Sequence, residues 1–109
     1  MSLSQKEKSA VEQFKVEVRR LLGKRLLDLK LFGSKARGDN RRDSDIDLLV
    51  VVADEDWNLC DTVYAVAADI IVETGLSISP KVLSKGNLSR LAADDTAFFR
   101  NISRDAIAV

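Results

Sequence analysis

The run IDLLVVVA at residues 46–53 constrains this chain more than any other feature. It is near-continuously apolar, β-branched in part, and too short for a membrane span, which needs about 20 residues. A run of this kind fits a strand covered on both faces, near the middle of a sheet. Elements rich enough in apolar surface to cover it must therefore flank it, and they do. Residues 4–23 place Val11, Phe14, Val18, Leu21 and Leu22 at helical spacing, with Ser4 and Glu7 as a capping box and Gly23 as a stop. Residues 57–74 form a second amphipathic pattern, with Cys60, Val63, Tyr64, Ala67, Ile70 and Ile71 expected on one inward face and Gly75 as the stop.

The remaining segments complete a layered pattern. LLDLKLF at 26–32 alternates as a first strand. Residues 34–38 are expected to begin a short helix capped by Ser34, and 39–44 form a polar loop. LSISPKVL at 76–83 reads as a strand whose Pro80 places it at an edge. A short helix over 84–93 and a last helix over 95–107 follow, the latter with Phe98, Phe99, Ile102 and Ile107 apolar. The expected architecture is α/β (α+β): one domain over residues 1–109, with helices packed on a small mixed sheet.

Composition narrows the chemistry. The chain has 109 residues and carries 17 basic and 17 acidic side chains, so there is no overall basic excess for nucleic acid to exploit. Direct nucleic-acid binding is not expected. There is no histidine and one cysteine, Cys60, which excludes Ser-His or Cys-His nucleophilic systems and cysteine–histidine metal clusters. The absence of an apolar leader or span points to a cytoplasmic protein with no membrane association.

The stretch GSKARGDNRRDSDIDLLV, at 33–50, carries the chemistry. Asp45 and Asp47 lie two apart at the start of a strand, so both carboxylates point to one face with Cα atoms roughly 7 Å apart. Hard oxygen ligands side by side suit magnesium, and two such ions can clamp the attacking and leaving oxygens of phosphoryl transfer. Gly33 allows close backbone approach, while Ser34 offers a hydroxyl and an N–H at the start of a helical turn. Lys35 and Arg37 add positive charge for phosphate. Arg41 and Arg42 are expected to be solvated. Taken singly, each piece reads as an ordinary turn, cap or charged loop; their order on strand, turn, loop and strand is what singles them out. Trp57, Cys60, Tyr64, Phe98 and Phe99 are expected to be packing residues.

GSKARG followed by SDIDLLV resembles the signature of the DNA polymerase beta nucleotidyltransferase superfamily, and within it the minimal nucleotidyltransferase domains. The resemblance implies a nucleotidyltransferase-type mixed sheet. It implies that Gly33, Ser34, Lys35 and Arg37 bind the triphosphate of ATP or another nucleoside triphosphate. Asp45 and Asp47 would be catalytic and would hold Mg2+, two ions in the family pattern. The segments ETGLSISPKVLS and FFRNISRD resemble the subgroup of minimal nucleotidyltransferases encoded beside HEPN-domain toxins; its members are antitoxins, some of which transfer AMP to their partner. The family's third carboxylate is missing: the strand LSISPKVL has neither Asp nor Glu, and Ser77 or Ser79 stands in the expected place. The chain also has no second domain to hold an acceptor, so a partner protein or a homo-oligomer would supply that surface. The alternative reading is a weak or inactive module that neutralises a HEPN-type partner by binding; a small-molecule transferase is a third.

Overall fold

Four strands form one mixed sheet in the order β3-β2-β1-β4. A computed structural model of the chain describes residues 3–38 and 44–109. Its elements are α1 (Gln5–Leu22), a 3-10 turn (Gly23–Arg25), β1 (Leu26–Phe32), α2 (Gly33–Arg37), β2 (Ile46–Val52), α3 (Trp57–Thr74), β3 (Ile78–Ser84), α4 (Lys85–Ala93), α5 (Ala97–Asp105) and β4 (Ile107–Ala108). β1 runs antiparallel to β2 and β4, and β2 runs parallel to β3. The apolar run thus forms an interior strand, and Leu48 through Val52 are all buried.

Alternation along β2 divides the core in two. Ile46, Leu48, Val50 and Val52 join Leu29 and Leu31 in the larger cluster beneath α1 and α3, with Phe14, Val18, Val63 and Ile70. Leu49 and Val51 face the other way, onto Ile102, Phe32, Leu83 and Phe98. There Phe32 and Phe98 meet edge to face, with ring centroids 6.1 Å apart. α1 and α3 lie side by side in opposite directions: the Gln13 amide donates to Glu73 at 3.0 Å, and Arg25 pairs with Asp56 at the other end. The Ser4–Glu7 capping box forms as expected.

Several expectations are corrected. Ser34 is not a cap: α2 begins at Gly33, Phe32 occupies the N-cap position, and no side chain caps the helix. The last helix ends at Asp105, because Ile107 and Ala108 leave it to pair with Leu31 and Lys30 of β1. Trp57 is 85% exposed, Tyr64 is half exposed and Ile71 is exposed, while Leu59 and Val66 take their places in the core. α3 is apolar around most of its circumference, so the spacing alone did not fix which stripe turns inward. Pro80 sits on an edge strand, where a missing N–H costs nothing to the ladder. The expected loop at 39–43, with Arg41 and Arg42, lies outside the described residues.

Candidate active site

Two strand ends meet at the site. Phe32, the last residue of β1, pairs with Asp47 near the start of β2, so Gly33 emerges beside that carboxylate. Gly33 has φ +75°, and a Cβ built there would lie 2.3 Å from Asp47 Oδ2. A side chain there would sit on a strained backbone and force the Asp47 carboxylate to move. Ile46 and Leu48, the neighbours of Asp47, are buried in the larger core, which holds the carboxylate on rigid backbone facing the α5 side of the sheet. Asp45 precedes the strand and is exposed.

The electrostatics are those of two close like charges. Burial pushes the Asp47 carboxyl above its ordinary value, and the neighbouring Asp45 charge pushes it further; Lys81 and Arg37 pull against them. A divalent cation would replace that repulsion with attraction, so the donor set of Asp45 and Asp47 fits Mg2+, which typically takes one or two carboxylates plus substrate phosphates. Among the described residues no group of three or more His, Cys, Asp or Glu converges on a metal position. Asp47 lies directly opposite Ser79 on β3, not opposite a carboxylate. Of the serines weighed from the sequence, Ser79 is the one beside Asp47.

The basic residues divide. Arg37 reaches towards the C-terminal end of α5, donating to Asp105 Oδ2 at 3.0 Å. Arg104 and then Arg37 hold the Asp105 carboxyl down at about 2, against its burial. Ser34 is half-buried in the first turn of α2, next to Gly33. Lys35 is not brought to the aspartates. It is 1% exposed, and its Nζ lies 2.6 Å from Glu7 Oε2 of α1, on the opposite side of the sheet. Its charge anchors α2 to α1. Lys81 was missed from the sequence. It follows Ser79 by two on β3, so it shares the face of Asp47 and acts on its charge. Only the pairing register reveals this.

The site thus sets Gly33, at the turn from β1 into a short helix, against Asp47 at the start of β2, with Asp45 just before that strand. The chain belongs to the nucleotidyltransferase domain family, whose match spans residues 11–90. No curated protein matches the sequence significantly. Solved structures share the fold at low identity. One, described as a toxin–antitoxin with AMP-PNP, is 21% identical with a TM-score of 0.56, covering 89% of this chain and 70% of that one. Another, described as a minimal nucleotidyltransferase, is 23% identical with a TM-score of 0.55, covering 94% of each chain. A third, described as a mutant of the toxin–antitoxin MntA-HpeT, is 19% identical with a TM-score of 0.55, covering 90% and 70%.

Proposed function

We propose that this chain is a Mg2+-dependent nucleotidyltransferase that moves AMP from ATP to a partner protein, acting as the antitoxin of a HEPN-type toxin in the cytoplasm. The observation that carries the reading is the Asp47 carboxylate packed against Gly33, with Asp45 close enough to act on its charge. Likeness to a toxin–antitoxin solved with an ATP analogue supports the choice of nucleotide and partner. No helix among the described residues is long and apolar enough to cross a membrane.

In this reading an acceptor hydroxyl oxygen attacks the α-phosphorus, the bond to the bridging oxygen of the β-phosphate breaks, and pyrophosphate leaves with the electron pair. The hydroxyl proton passes to solvent or to a base. Asp45 and Asp47 would hold Mg2+, whose charge neutralises the phosphates and the departing pyrophosphate. Gly33 lets the triphosphate approach the backbone, Ser34 offers its hydroxyl and N–H, and Arg37 and Lys81 supply positive charge at the rim. Lys35 contributes by fixing α2. A second reading, binding without chemistry, is favoured by one observation: Ser79 stands where a base would, and general-base help is typically worth about 10²–10⁴-fold.

Co-expression with the product of the neighbouring gene decides between them. The transferase reading predicts a partner whose mass rises by one AMP, and no such increment with Asp45→Asn/Asp47→Asn. A tight complex of unmodified partner with either protein would leave only the binding role.

A further inference from the structure

The catalytic end of the sheet leaves one surface unused. α3 buries Leu59, Val63, Val66, Ala67 and Ile70, yet its other side is also apolar. Trp57 is 85% exposed and Val72 86%, and Tyr64 and Ile71 are exposed between them. Trp57, Cys60, Tyr64 and Ile71 recur at helical spacing and form one stripe, spanning about 21 Å at 1.5 Å per residue. At its start, Trp57, Cys60 and Tyr64 border a groove of about 500 Å³, floored by Val52 and Val82 at the C-terminal ends of β2 and β3. The stripe then runs back along the sheet, because α3 leads into the start of β3, which lies beside Ile46.

Charge at the start of the stripe is mainly acidic, with Asp56 already paired to Arg25. Residues 54–61 carry four carboxylates and no lysine or arginine, although the whole chain is neutral. Asp54, Glu55 and Asp61 are exposed beside the stripe, whereas Asp69 and Glu73 lie on the α1 side of α3, where Gln13 donates to Glu73. An apolar stripe with an acidic rim selects its occupant. Two copies of this chain meeting stripe to stripe would oppose their carboxylates, which disfavours self-pairing. A helix carrying leucine-like residues on one face and lysine or arginine at its flanks would satisfy both parts.

We propose that the outer stripe of α3 and the groove at its start are a docking surface for a partner protein's basic amphipathic helix. The proposal rests on the reading that the chain engages a partner protein, and specifies the chemistry of the contact. The bound helix lies along the β3 edge, with one end directed towards the end of the sheet that carries Asp45 and Asp47.

Trp57 is the sole tryptophan, so its fluorescence reports the site directly. The probe is a four-turn synthetic helix of leucine and lysine at amphipathic spacing, titrated without nucleotide so that docking and catalysis are read separately. The expected result is a saturable blue shift, weakened at least about tenfold by Tyr64→Lys and by Ile71→Lys, both exposed positions on the stripe that leave the core intact. A leucine–glutamate helix and a serine–lysine helix of equal charge should produce no shift. Absence of a shift, an equal shift with either control helix, or full binding by both variants would overturn the proposal. So would a concentration-dependent blue shift without peptide, which would make a second copy the occupant.

Discussion

Gly33→Ala tests the geometry of the site with one methyl group. The new Cβ would lie 2.3 Å from Asp47 Oδ2 and 3.2 Å from its Cγ, at a backbone φ of +75°. The left-handed backbone alone costs a residue with a side chain roughly 1–2 kcal/mol. The contact must also be relieved. Moving the oxygen from 2.3 Å to 3.0 Å, the least a real Cβ tolerates, displaces it by about 0.7 Å. Misplacing a reacting constellation by ~1 Å costs about 10²-fold in rate. The expected outcome is therefore a modest loss of stability, read as a lower urea midpoint, beside a drop of about 10²-fold in kcat/KM for label transfer. The glycine at Gly75 provides the control: φ is +74° and nothing lies within 4 Å of its added Cβ. Gly75→Ala should lose similar stability and keep its activity. Equal activity in the two variants would refute the claim that Gly33 is reserved for the Asp47 carboxylate.

Other perturbations separate stability from chemistry. Asp47→Asn removes a carboxylate whose ionisation is opposed by burial and by Asp45, so it should raise the urea midpoint at neutral pH while transfer falls at least about 10²-fold. Glu7→Ala leaves the Lys35 ammonium buried without its partner and should cost about 3–5 kcal/mol, most of it recovered in Glu7→Leu/Lys35→Met; denaturation of the single and double variants measures this. Acid should weaken the fold in a defined direction. Burial pushes the Glu7 carboxyl up, but Lys35 and Ser4 outweigh it and leave it low, as Arg104 and Arg37 do for Asp105. Both bind protons more weakly when folded, so their contribution is complete above the ordinary values of 4.5 and 3.8 and fades as pH falls, towards about 2 for Asp105. Urea midpoints should drop in that window, and less so for Asp105→Asn. Ser79→Asp would put a carboxylate opposite Asp47 and should speed transfer, by up to about 10²–10⁴-fold if the missing group is a base.

The elements with strong periodicity were legible from the residues. β1 and α3 have the bounds that the pattern gives, and the interior place of β2 and the edge place of β3 follow from IDLLVVV and Pro80. Asp45, Asp47 and Gly33 stand out because GSK and SDID are distinctive in sequence, and the β1–β2 register sets Gly33 beside Asp47. What stayed hidden depends on pairing across the chain. A two-residue strand such as Ile107–Ala108 has no period to detect. Lys35 sits within the basic run, and nothing local signals that Glu7 of α1 claims it. Lys81 joins the site only through the parallel register of β2 and β3. The exposure of Trp57 and Tyr64 was illegible because α3 offers apolar residues on nearly every side, and only packing chooses among them.

Transfer of label from ATP is the most direct test of the central claim. The chain would be incubated with its neighbour-encoded partner and Mg2+, with the label placed on the α-phosphate in one reaction and on the γ-phosphate in another. Label on the partner from the α position only, absent with Asp47→Asn and after chelation of the metal, is the predicted result. Label arriving from the γ position, or α-label transfer that survives Asp47→Asn, would contradict the assignment of both the reaction and the site.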